Sequence, residues 1–65
     1  MSELKLSLEA IRINMGIDRK EMADKLNIKL DRYNRLASGA SKMYASELIQ
    51  LHKVSGVSYE MMDVQ

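Results

Sequence analysis

Residues 19–38, RKEMADKLNIKLDRYNRLAS, limit how this chain can fold more than any other stretch. Met22, Ala23 and Leu26 form the i, i+1, i+4 stripe of one short helix. Tyr33, Leu36 and Ala37 repeat i, i+3, i+4 on a second. Between them lie Asn27, which after Gly best tolerates the left-handed backbone of a sharp turn, and Ile28, which can plug the angle between the helices. Ala23 sits where a bulky side chain would hold the two helices apart. The pattern therefore predicts two helices meeting at a steep angle.

Capping signals extend the reading along the chain. Asp18 and Glu21 have the spacing of a capping box, with Ile17 and Met22 placed as the hydrophobic staple around it. Ser7 before Leu8-Glu9, and Ser58 between Val57 and Met62, are further candidate caps. Gly16, Gly39 and Gly56 each follow an apolar-periodic run, as C-terminal stop signals do. Five helices are expected, near 7–15, 19–26, 29–38, 44–55 and 58–63. Lys29 is a poor cap for the third. The expected fold class is all-α, with residues 1–65 as one domain.

The 65 residues include no Cys, so disulfides cannot support the small core such a chain can bury. With no Phe or Trp, that core must come from Leu, Ile, Val, six Met and up to three Tyr. Met15, Met22, Met61 and Met62 fall at or beside apolar helix positions and read as core filler. No apolar run is long enough for a membrane span, and the start MSELKLSLEA lacks the pattern of a secretory signal, so a cytoplasmic protein is expected.

The order apolar-Ala-x-x-apolar-turn-apolar over Met22 to Ile28, then apolar residues five and eight positions further on, resembles the lambda-repressor-like helix-turn-helix family. Its members include phage repressors, Cro-like proteins and XRE-type regulators. The resemblance runs from Leu8-Glu-Ala-Ile-Arg12 and Gly16-Ile17 through Ser38-Gly39 to Gly56-Val57-Ser58 and Met62. Several residues depart from the family's habits: Asn27 replaces its turn Gly, Tyr33 an Ile or Val, Ala37 a common Glu, and Arg19 a frequent Gln. His52 and Ser55 stand where Ala and Leu are usual.

The resemblance implies a compact five-helix domain, with the helix-turn-helix at residues 19–38, that acts as a sequence-specific double-stranded DNA-binding transcriptional regulator. Its third helix would enter the major groove. By position, Lys29, Leu30, Asp31 and Arg35 match the family's base-facing sites, while Arg19, Ser41 and Lys42 match positions where relatives hold phosphates. Helical geometry gives an overlapping set: with Tyr33, Leu36 and Ala37 inward, Asp31, Arg35 and Ser38 face out, and Arg32 and Asn34 lie on the flanks. Ser38, Arg32 and Asn34 are thus further candidates for backbone contact. Arg35 carries the planar fork that pairs with guanine O6 and N7. Asp31, one turn earlier, is expected to orient that guanidinium ahead of accepting from cytosine N4.

Charge agrees with this placement. The whole chain carries only +1, but residues 19–42 hold seven basic and three acidic side chains, and both remaining segments are net negative. Catalysis finds little support, because a hydrolase or transferase would need a nucleophile with a base, paired carboxylates or a ligand cluster, yet His52 is the sole His and there is no Cys. No metal, cofactor or small-molecule substrate is expected. Family members usually bind pseudo-palindromic operators as symmetric dimers, with half-sites about one turn, roughly 34 Å, apart. Tyr59, Met61 and Val64 are the apolar groups left over for a homodimer interface. The alternative is a protein-binding module on the same fold, antirepressor-like or antitoxin-like, with little base readout.

Overall fold

The computed structural model describes residues 6–62. Four α-helices follow one another: α1 (Leu8–Met15), α2 (Arg19–Lys25), α3 (Leu30–Ser38) and α4 (Ala45–Ser55), then a 3-10 turn at Tyr59–Met61. No strand occurs among the described residues.

The helix ends obey local chemistry. Ser7 Oγ accepts from the Ala10 N–H at 3.1 Å, and the Asp18 carboxylate accepts from the Glu21 N–H at 2.8 Å, satisfying donors that α1 and α2 leave open. Asn27 has φ 61°, the left-handed value its place between α2 and α3 demands. The Ile28 N–H then returns to the Ala23 carbonyl at 3.0 Å, closing the turn. Lys29 provides no side-chain cap, and α3 begins one residue later, at Leu30. At the far end of α4, Ser55 Oγ donates to the Leu51 carbonyl at 2.6 Å and accepts from the Val57 N–H at 3.1 Å. A polar residue at that site thus ties off the helix.

Leu8, Ile11, Met22, Ala23, Leu26, Tyr33, Leu36, Leu51 and Met62 form the core, with Ile17, Ile28 and Val57 packed against it. Ala23 is 1% exposed, consistent with a site where added volume has nowhere to go.

The last segment departs from the five-helix expectation. Ser58 makes no side-chain cap bond, and residues 59–61 form one 3-10 turn through Met61 N–H to the Ser58 carbonyl at 3.0 Å. Met62 then turns extended and bridges Leu6, whose N–H donates to the Met61 carbonyl at 2.6 Å. Burying Met62 beside Leu6 takes precedence over continuing a helix that has neither length nor cap.

Candidate functional site

The exposed face of α3 is the centre of the site. Tyr33 and Leu36 are buried, so Leu30, Asp31, Arg35 and Ser38 are left exposed, with Lys29 exposed at the N-cap. Leu30 is 38% exposed, a large apolar group facing solvent. No hydrogen bond or ion pair joins Asp31 to Arg35 among the described residues. Ser38 Oγ donates to the Arg35 carbonyl at 3.1 Å, a bond along the helix.

One flank of α3 is organised by Glu9. Its carboxylate accepts from Arg12 Nε at 2.8 Å, from Arg19 Nη2 at 2.8 Å and from the Tyr33 hydroxyl at 2.6 Å. Arg12 also donates to the Ile17 carbonyl at 2.7 Å, in the connection between α1 and α2. Arg19 reaches further, with Nη1 donating to Asn34 Oδ1 at 3.0 Å. A residue at the start of α2 is thereby held against α3 while its side chain stays 49% exposed. The Arg12 hydrogen bond, assisted by Tyr33 and Arg19, outweighs partial burial and lowers the Glu9 pKa from 4.5 to about 2. Burial, then the bond to Glu9, pushes the Tyr33 phenol far above its ordinary value.

The opposite flank is organised by Glu47, a buried carboxylate. Arg32 grips it with the two nitrogens of one guanidinium edge, Nε to Oε2 at 3.0 Å and Nη2 to Oε1 at 2.9 Å. Arg32 Nη2 also donates to the Lys42 carbonyl at 2.9 Å, tying down the loop that carries Ser41 and Lys42. Glu47 Oε1 accepts the Tyr44 N–H at 2.7 Å, and the Tyr44 ring lies over the Arg32 guanidinium, 4.5 Å from its centre. The Arg32 bond lowers the Glu47 pKa against partial burial.

The predicted residues thus fall into three groups. Lys29, Leu30, Asp31 and Arg35 share the exposed face, and Arg19 with Asn34, and Ser41 with Lys42, border it on either side. Arg32 is drawn inward to Glu47. Of the interface candidates, Tyr59 is half-exposed but stacks on His52 with ring centres 4.6 Å apart, Met61 is 38% exposed, and Val64 lies outside the described residues. His52 Nδ1 lies 2.8 Å from the Val57 carbonyl, which can only accept, so that nitrogen carries the proton.

Glu9, Tyr33 and Glu47 were not singled out by sequence as polar anchors. The available signal was faint: Glu47 stands three residues after the N-cap, the place of a capping-box acid, but the cap is Tyr44. No group of three His, Cys, Asp or Glu able to hold a metal occurs among the described residues, and no helix there is long and apolar enough to cross a membrane. Comparison with family models, curated proteins and solved structures returned no match.

Proposed function

We propose that this chain is a sequence-specific, double-stranded DNA-binding transcriptional regulator of the lambda-repressor-like kind, a small repressor or Cro-like protein acting in the cytoplasm, with α3 in the major groove. The observation that carries this reading is the layout around α3. An exposed helical face bearing Arg35 is bordered on one flank by the Arg19 guanidinium, held on Asn34, and on the other by the loop of Lys42, whose backbone carbonyl Arg32 holds. Cations on either side of a groove-reading element suit the two phosphate strands that border a major groove. A symmetric dimer through Tyr59 and Met61 would supply the second half-site that one short helix needs for discrimination.

Binding to duplex DNA tests the proposal. Mixed-sequence duplex should bind at low salt, with log affinity falling against log salt by about 0.9 per phosphate neutralised. Selection from random DNA should return a two-fold symmetric site. Arg35→Ala should cost about 1–3 kcal/mol at one base pair per half-site and little on mismatched DNA. Exposed Leu30 is the observation that favours the second reading, a protein-binding module. No affinity for any duplex at low salt would decide for that module.

A further inference from the structure

Tyr44 is 66% exposed, yet both its backbone and its ring are fixed. The Glu47 carboxylate takes its N–H at 2.7 Å, and the guanidinium that the same carboxylate grips lies beneath its ring. The ring therefore stands at a set angle above a neutralised ion pair. Its hydroxyl has no hydrogen-bond partner among the described residues. Tyr44 also closes an open groove of about 400 Å³ whose other walls include Lys29, Asp31 and Arg35, so it shares the surface that the base-facing residues occupy.

Resting on the DNA reading above, we propose that Tyr44 is a further contact to the DNA backbone, donating its hydroxyl to a phosphate oxygen, and that Arg32 is a positioning residue for Tyr44 and Lys42. The chemistry follows from the groups present. Arg32 has two of its nitrogens on Glu47 and the Lys42 carbonyl, and its charge is matched by a buried carboxylate, so little of it is left for a phosphate. A phenol on a rigid two-torsion side chain loses little freedom on binding, and being neutral it displaces no counterion. Tyr44 should thus add affinity for every sequence without steepening the salt dependence, whereas Lys42 should do both.

The test uses the full chain with a selected duplex and a mixed-sequence duplex, each titrated across a salt series. Tyr44→Phe keeps the ring on the guanidinium and removes only the donor. It should weaken both duplexes alike by about tenfold or more, the lower end of what a hydrogen bond to a charged group is worth, with Tm and salt slope unchanged. Lys42→Ala should instead flatten the slope by about 1. Arg32→Lys keeps the charge but not the fork, and should lose at least as much affinity as Tyr44→Phe. In the double variant, removing the hydroxyl should cost nothing more.

Wild-type affinity in Tyr44→Phe, or additive losses in the double variant, overturns the proposal. If Arg32→Lys does not fold, Tyr44→Phe and its salt slope decide alone. A wild-type chain that binds neither duplex overturns the DNA reading itself, a result distinct from a wild type that binds and a Tyr44→Phe that binds as well.

Discussion

Glu9 on α1 and Glu47 on α4 both reach across to α3, one on each flank, but they hold it in different ways. Glu9 is a partly exposed hub that three donors share, and its outermost donor, Arg19, is half in solvent. Glu47 is buried and gripped by one guanidinium, itself only one-fifth exposed. Withdrawing Arg19 from Glu9 leaves a carboxylate still bonded to Arg12 and Tyr33. Withdrawing Arg32 leaves a buried charge with only the Tyr44 N–H. The Glu9 flank can therefore release a cation to a ligand, and the Glu47 flank is built to stay closed.

The comparison breaks most readily at Glu47. Glu47→Ala should cost about 3 kcal/mol, near the lower end for breaking a buried pair because Arg32 can rehydrate in part. Urea unfolding would measure it, and a loss below about 1 kcal/mol would place Glu47 with ordinary surface pairs.

Acid should act next, and first on the Glu9 side. A carboxylate whose pKa is lowered on folding stabilises the fold above its unfolded value of 4.5, and that contribution disappears as pH falls through about 2. The shift corresponds to about 3 kcal/mol at most, reduced by the solvent that reaches a quarter of the side chain. The stability gap between wild type and Glu9→Gln, followed by thermal melting at stepped pH, should be widest above pH 4.5 and close towards pH 2. A gap independent of pH would show that the charge of Glu9 is not what holds α1 to α3.

Tyr33→Phe sharpens the same point, since it removes one of Glu9's donors while filling the same volume. It should cost about 1–2 kcal/mol and raise the Glu9 pKa, read from the side-chain carboxyl shift by NMR. An unmoved Glu9 titration would mean that the hydroxyl bond does not form in solution.

Lys20→Ala supplies the baseline. The Lys20–Asp24 pair is 3.1 Å long but about two-thirds exposed at both ends, so the change should stay within about 0.5 kcal/mol. A larger effect would mean that exposed pairs matter as much here as the two clamps.

Much of the helical framework was legible because it depends on near neighbours in the chain. Ser7 and Asp18 cap, Gly16, Gly39 and Gly56 take left-handed conformations at helix ends, and Asn27 turns α2 into α3, each for reasons contained within four or five residues. The core stripes of Met22, Ala23 and Leu26 and of Tyr33 and Leu36 were legible for the same reason, as helical periodicity aligns each set on one face of its own helix. Residues 58–62 resisted, because a cap-and-staple spacing there competes with the burial of Met62 against Leu6, 56 positions earlier in the chain, and Asp63, the last residue of the expected fifth helix, lies outside the described residues.

The charged side chains mark where local pattern ends and long-range packing takes over. From sequence, Arg19, Arg32 and Arg35 can be placed along their helices, but nothing says which of them meets a carboxylate. In the fold, Arg19 is shared with Glu9 and Asn34, Arg32 is enclosed by Glu47 and Tyr44, and Arg35 has no ion-pair partner among the described residues. The partners of Arg19 lie 10 and 15 residues away, and Glu47 lies 15 from Arg32. A guanidinium's role is set by which carboxylate the packed helices bring within about 3 Å, and helical periodicity carries no information about contacts at that range.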